Sequence, residues 1–454
     1  MPEFTFDQLE KWSRGTWDFP SRGKACDLPR NTGGNFCVRG VTQDTRNLSP
    51  GGLFVAIRDQ RDGHDYIPDA QKTGAAAALV ASDFTCHDGV TIPLLRVADT
   101  RKALQDLARG WREACRETFF IGVTGSAGKT TTRCFVQTLL ATLGKTHGTS
   151  GNLNNDLGLP LSLLAMPGDA KFGVFEIGMN HPGELLPLCE ILQPHAGIVT
   201  NVGPVHLEFF NSVHDIAVEK ATLLRAIPED GFAVLDDASP FFDYLKSQLR
   251  GELLVASDAA CHNLVSPFAG CHNALNLRLA ATLANRLDVA WETMNAALEN
   301  MELPEMRGQS LRLRGRWIIN DAYNANPMSM RCAIDTFAQQ TADWQGRRVV
   351  VLGDMRELGE ASETLHREIG AHLAQSKLKT DLLVVVGNFA TRIADAFRGE
   401  NPGVEILRFP DAKSAAAEVS NWSRENDAVL LKASRGVGLE RVVEALARGC
   451  APGC

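Results

Sequence analysis

The run Thr124-Gly125-Ser126-Ala127-Gly128-Lys129-Thr130-Thr131 gathers the residue types that hold a triphosphate. Gly125 and Gly128 permit backbone geometry and close approach that a side chain would obstruct. The successive N–H groups of Ser126 and Ala127, and those of a following helix, can then face a phosphate. Lys129 supplies a point charge to the β- and γ-phosphates, and the Thr130 hydroxyl is placed to ligate Mg²⁺. The strict phosphate-loop pattern has glycine at position 123, where this chain has Val123. The alternative is an ordinary strand-to-helix turn. Lysine and two threonines in register favour ATP.

A triphosphate requires a cation, and two downstream strand ends offer ligands. Glu176 ends an apolar run, and His206 follows the turn Val202-Gly203-Pro204. Glu176 alone fits a helix cap or salt bridge equally well, and a lone His beyond a strand is commonly structural. In an open α/β sheet, however, both strand ends share the carboxyl edge with the phosphate loop.

The elements that must position these residues read as α/β throughout. Strands are expected at Leu53–Ile57, Ala77–Ala81 and Leu94–Val97, with helices at Asp65–Thr73 and Arg101–Arg109. The charged stretch Trp111–Thr118 reads as a linker. The middle section starts with the strand Phe119–Thr124, and Phe135, Val136, Leu139, Leu140 and Leu143 continue it at helical spacing. Further strands are expected at Gly173–Ile177, Gly197–Asn201, Phe232–Leu235 and Leu253–Val255. After a boundary near Pro304–Gln309 the alternation restarts, with strands at Trp317–Asn320, Val349–Leu352, Leu382–Val386 and Val429–Leu431. The last section has no GxGxxG turn and implies no dinucleotide site. Three domains follow: residues 1–114, 115–309 and 310–454. The fold expected is α/β, with a central P-loop mononucleotide-binding domain and a Rossmann-like C-terminal domain.

The chain has 454 residues and a net charge of −8, which with no basic run argues against nucleic-acid binding. No signal peptide and no bilayer-length apolar stretch is present, so no membrane insertion is expected. Eleven cysteines are scattered without a CxxC pair. Reduced thiols in the cytoplasm are the reading.

Several longer strings resemble the Mur ligases of peptidoglycan precursor synthesis, in order along nearly the whole chain. They are the phosphate loop, Gly151-Asn152-Leu153-Asn154-Asn155-Asp156, Glu176-Ile177-Gly178-Met179, Asn201-Val202-Gly203-Pro204-Val205-His206 and Lys220-Ala221. His272-Asn273-x-x-Asn276, Asp321-Ala322-Tyr323-Asn324-Ala325-Asn326-Pro327 and Gly353-Asp354-Met355-x-Glu357-Leu358-Gly359 continue the series. The last two strings are similar to the branch of the family that adds D-alanyl-D-alanine. Asp44-Thr45-Arg46 resembles the UDP-sugar domain, where Asp-Ser-Arg is more usual. The family's Pro-Gly-Arg is replaced by Met306-Arg307-Gly308, which leaves the role of Arg307 open.

The resemblance implies ATP-dependent amide formation between UDP-N-acetylmuramoyl-tripeptide and D-alanyl-D-alanine, through an acyl phosphate, in a monomer. It implies that Lys129, Glu176, His206 and Lys220 are catalytic. Mg²⁺ would be held by Thr130, Glu176, His206 and a carbamylated Lys220. Without the resemblance, Lys220 reads as a solvated helix lysine beside Glu219. Asn273, Asn276, Asp321, Asn324 and Asn326 would join the loop in binding ATP. Thr45, Arg46, Asn154 and Asn155 would bind the UDP substrate. The asparagines and Asp156 are equally good turn or cap formers. Lys432, Ser434 and Arg435, after the last strand, face the cleft or cap a helix. The rival readings are another ligase of the superfamily and a P-loop switch ATPase.

Overall fold

The computed structural model describes residues 1–19, 34, 36–86, 89–257, 261 and 263–448. Among them the strands form three main sheets, and the α/β expectation holds. The N-terminal sheet has the spatial order Thr16–Asp18, Leu94–Val97, Ala77–Ala81, Leu53–Val55, Val41–Thr42. Only its first pair is antiparallel. Leu53–Val55 and Ala77–Ala81 are buried at every residue, which explains their unbroken apolar runs.

The helix Thr100–Ala114 closes this unit, its first turn capped by the Asp99 carboxylate. It corrects the linker expected at Trp111–Thr118, because Trp111 to Ala114 are its last turn. Their polar atoms meet the central unit: the Trp111 indole donates to Met166 O at 3.1 Å and Arg112 Nε to Leu192 O at 2.8 Å. Charge in this stretch marks a packed seam.

The central sheet is parallel throughout. Its order is Glu252–Val255, Phe232–Leu235, Ala196–Val199, Phe119–Thr124, Phe172–Glu176, Thr146–Gly148. The chain leaves Phe119–Thr124 toward one side and later returns to the other, creating a switch-point crevice at its carboxyl end. Register does the rest: Val123 pairs with Glu176 and Thr124 with Val199. The following helix, Lys129–Leu140, buries Phe135, Val136, Leu139 and Leu140 against Ile121, Val123 and Val174.

The C-terminal sheet runs Gln309–Leu313, Arg316–Asn320, Ala428–Lys432, Arg348–Gly353, Leu382–Val386, Glu405–Phe409. It is parallel except for the first pair. That pair is a hairpin whose turn, Arg314-Gly315, has positive φ at both residues (47° and 74°), as a two-residue hairpin loop requires. The two outer strands, Gln309–Leu313 and Glu405–Phe409, are absent from the sequence reading. Both are edges with alternating or partial exposure, so neither carries an apolar run.

Candidate active site

Gly128 sits in the left-handed region (φ 81°), and the helix Lys129–Leu140 begins immediately after it with no side chain capping its first turn. Its leading N–H groups are therefore free to meet an anion, with the helix dipole behind them. Both loop glycines are sterically required. A Cβ on Gly125 would lie 1.8 Å from Thr200 Oγ1, and one on Gly128 2.4 Å from Asn276 Oδ1. The loop is fixed from the neighbouring strand end. Asn201 Oδ1 accepts from Ala127 N at 2.9 Å, and the Ser126 hydroxyl exchanges hydrogen bonds with the Gly203 backbone at 3.0 and 3.1 Å. The sequence motif Asn201-Val202-Gly203-Pro204 thus carries a loop-fixing residue that residue type alone does not reveal. Lys129 Nζ donates to Gly125 O at 2.8 Å.

Glu176 is 1% exposed. Thr130 Oγ1 donates to its Oε2 at 3.0 Å, and Arg133 Nε to its Oε1 at 3.2 Å. Arg133, one turn along the helix from Lys129, is missing from the sequence reading. Its signal was its spacing: three residues after Thr130, on the same face.

Lys220 is 2% exposed on the helix Val213–Arg225, so it is not the solvated lysine that residue type suggests. Burial, and then the charge of Lys129, push its ammonium well below the usual lysine range, with Glu219 only partly offsetting them. Glu219 is committed elsewhere, accepting from Gly183 N and Leu185 N at 2.9 Å each. Burial also lowers the Lys129 ammonium, with Glu176 opposing and Arg307 adding to the shift.

His206 reaches out of the central unit. Its Nδ1 lies 2.5 Å from Glu357 Oε2, and Glu208 N donates to Glu357 O at 3.3 Å. Both His206 (φ 53°) and Glu357 (φ 62°) occupy the left-handed region, an uncommon conformation outside glycine. The His206 hydrogen bond holds the Glu357 carboxyl below the ordinary glutamate range. Glu357 lies in a string quoted for the resemblance, but its partner is invisible in sequence.

The C-terminal unit supplies the facing wall. Asn326 caps the helix Pro327–Gln340 with its Oδ1, while its Nδ2 donates to Ser126 O at 3.3 Å. It is thus both the cap and the loop contact. Asp321 Oδ2 accepts from Lys432 Nζ at 2.6 Å and its Oδ1 from Gly308 N at 3.1 Å. Lys432 also donates to Asn324 O at 3.0 Å, while the Asn324 side chain accepts from Ala325 N at 2.8 Å. Arg307 lies 4.0 Å over the Tyr323 ring, with Arg435 at 5.9 Å. The charge of Arg307 also reaches Lys129, whose ammonium it helps to lower. Nearby, His272 has a buried Nδ1 with no hydrogen-bond partner, and burial lowers its pKa. Asn273 Nδ2 donates to Ala269 O at 2.7 Å, just ahead of the helix Cys271–Arg286. Ser434 Oγ accepts from Arg356 N at 2.9 Å.

Of the four residues expected to bind the UDP substrate, Thr45 and Arg46 lie in the N-terminal unit, whereas Asn154 meets Gly178, two residues beyond Glu176. Arg46 is clamped on Asp44 at 2.6–3.2 Å and is well exposed, with Thr45 beside it in the same turn. Asn155 Oδ1 accepts from Gly158 N at 2.8 Å, the turn-forming role. Asn154 packs on Gly178, where a Cβ would lie 2.8 Å from its Oδ1. Asp156 pairs with Arg101 across the seam.

The donor chemistry suits Mg²⁺. Thr130 and Glu176 bring adjacent oxygens to the loop, and no group of three His, Cys, Asp or Glu forms a metal cage among the described residues. Magnesium characteristically takes one or two protein oxygens and completes its shell with phosphate and water.

A phosphate loop at the switch point of a parallel sheet, faced by a second α/β unit, defines a nucleotide-binding protein of the P-loop class. The chain belongs to the Mur ligase family: the family's catalytic domain matches residues 38–112, the Mur ligase middle domain 123–256, and the Mur ligase glutamate ligase domain 305–435. It is 32% identical over 433 residues to the UDP-N-acetylmuramoyl-tripeptide–D-alanyl-D-alanine ligase of Bacillus subtilis, covering 90% of this chain and 93% of that one. The fold superposes on crystal structure I of MurF from Acinetobacter baumannii with TM-score 0.82 and 28% identity, covering 99% and 100% of the two chains. MurF ligase from Thermotoga maritima in complex with ADP matches with TM-score 0.73 and 25% identity, over 90% and 97%. Among the described residues no helix is long and apolar enough to cross a membrane.

Proposed function

We propose that this chain joins D-alanyl-D-alanine to UDP-N-acetylmuramoyl-tripeptide, cleaving ATP to ADP and phosphate. The observation that carries this is the convergence of Lys129, Thr130, Glu176 and Asn326 on one loop, in a chain collinear with ligases of that activity. The N-terminal unit, residues 1–114, takes the UDP-sugar, with Thr45, Arg46, Asn154 and Asn155 as its candidate contacts. Residues 115–309 and 310–454 enclose ATP between them.

The tripeptide's terminal carboxylate attacks the γ-phosphorus; a C–O–P bond forms, the β–γ bridge breaks, and ADP leaves. The dipeptide amine then attacks the acyl carbon, phosphate departs, and the amine loses a proton. Because two anions must meet, the protein's work is positioning and neutralisation. The helix N-terminus and Lys129 hold the β- and γ-phosphates, and Arg307 adds charge on the same side. Asn276, beside Gly128, and Asn273, Asp321 and Asn324 form the nucleoside side of the cleft. Thr130, Glu176 and His206 would hold Mg²⁺, which when bound offsets phosphate charge. The free amine of Lys220 adds to CO₂ with loss of a proton, turning a neutral amine into a carbamate anion beside Lys129. Closure of the outer units would exclude water from the acyl phosphate. A cytoplasmic monomer completes the reading.

The test is ADP release by purified protein. It should require both UDP-tripeptide and D-alanyl-D-alanine, and disappear in Lys129→Ala. Rapid ATP hydrolysis with neither peptide would identify a switch ATPase instead.

A further inference from the structure

The opposite, amino edge of the central sheet carries a cavity of about 480 Å³ that the ligase reaction does not use. Arg112 and His195 line it together with the apolar Leu186, Cys189, Pro194 and Ala226, and with Glu190 and Gln193. Arg112 is 8% exposed and stacks 4.1 Å from the Phe120 ring. Its Nε and one Nη2 proton cap the helix Leu185–Leu192, donating to Leu192 O at 2.8 Å and Gln193 O at 2.7 Å. No carboxylate forms an ion pair with it among the described residues; the acids nearest in effect are the Cys115 thiol and Glu113.

His195 makes the need for an acceptor explicit. Phe120 N–H donates to its Nδ1 at 2.9 Å, so Nδ1 must carry a lone pair. With Nδ1 accepting, the ring proton sits on Nε2, and burial and the charge of Arg112 oppose a second proton, with Asp230 partly offsetting them. Yet Nε2 lies 3.2 Å from Arg112 Nη2, which is also a donor. Moving the proton to Nδ1 would only transfer the conflict to the Phe120 amide. Two N–H groups therefore converge with no acceptor between them, in the lining of this cavity.

We propose that this cavity binds a small organic monocarboxylate, its carboxylate shared by Arg112 and His195 and its apolar body along Leu186, Cys189 and Ala226. The guanidinium fork suits a planar carboxylate. One cation beside a neutral imidazole, with the Glu190 carboxylate at the rim, disfavours a phosphate dianion. Because Arg112 belongs to the helix Thr100–Ala114, the ligand would touch both the N-terminal and central units.

Calorimetric titration of the full chain with hexanoate tests this, against hexan-1-ol and inorganic phosphate. Saturable hexanoate binding is expected, with both controls at least tenfold weaker. Arg112→Gln should weaken it at least tenfold, Ala226→Phe should abolish it by filling the cavity, and Lys129→Ala should leave it unchanged. Should Arg112→Gln fail to fold, Ala226→Phe decides, since it leaves the donors in place. No saturable heat would mean that water alone serves these donors. That result, equal binding of phosphate, or binding unchanged in Ala226→Phe, overturns the proposal.

Discussion

Two lysines, Lys220 and Lys432, are buried to the same degree, 2% exposed each, and the protein treats them in opposite ways. Lys432 meets the Asp321 carboxylate at 2.6 Å and the carbonyls of Asp321 and Asn324 at 3.4 and 3.0 Å, so its three protons have three oxygens. Lys220 has a like charge, Lys129, as its strongest electrostatic neighbour, and its adjacent Glu219 is spent on the backbone at Gly183 and Leu185. Burial alone does not decide what a lysine does; the counter-charge does. Lys432 is a pin that ties the loop Asp321–Asn324 to the last strand. Lys220 is an amine whose protonation burial and Lys129 both oppose.

The largest expected effect is on turnover. Lys220→Ala should lower kcat on the order of 10²–10³-fold, the scale of losing one electrostatic stabiliser at a reacting phosphate. Short carboxylic acids should restore part of it by standing in for the carbamate. Full activity in the variant, measured by ADP release, would erase the functional half of the comparison. Stability should move the other way round. Lys432→Met strands the Asp321 carboxylate and should cost about 3 kcal/mol in denaturant unfolding, partly discounted because Asp321 is 26% exposed. Lys220→Met removes an amine that folding must neutralise, so it should be neutral or stabilising. Equal losses in both variants would break the distinction.

How much of this was legible in the sequence follows from distance along the chain. The phosphate loop, its strand and its helix are contiguous, so residue types and apolar spacing suffice. Glu176 was legible because a carboxylate ending an apolar run is out of place unless something uses it. The burial of Lys220 was not, since the lysine stands between Glu219 and Ala221 on a helix with no local sign of what packs over it. Its contrast with Lys432 rests on Asp321, 111 residues earlier in the chain. The partner of His206, Glu357, is 151 residues away, in the loop after the strand Arg348–Gly353 of another sheet. Arg133 was overlooked despite helical spacing because an arginine on a helix is ordinarily solvated. Trp111–Thr118 misled for a related reason: charge density resembles a linker, whereas here the long side chains cross a domain seam.

The effect that isolates the amine itself is a pH dependence. The folded pKa of Lys220 lies below its value in the unfolded chain, near the ordinary 10.5. Between those two values the unfolded state binds a proton that the folded state does not, so folding stability rises with pH. The slope for one such group is at most about 1.4 kcal/mol per pH unit. Lys220→Met lacks the group, so its advantage over the parent chain should shrink as pH climbs from 7 toward 9.5 in CO₂-depleted buffer. A stability difference between Lys220→Met and the parent that stays flat across this range would mean that Lys220 keeps its proton when folded. The amine would then be unable to add CO₂, and the two lysines would differ in partner but not in kind.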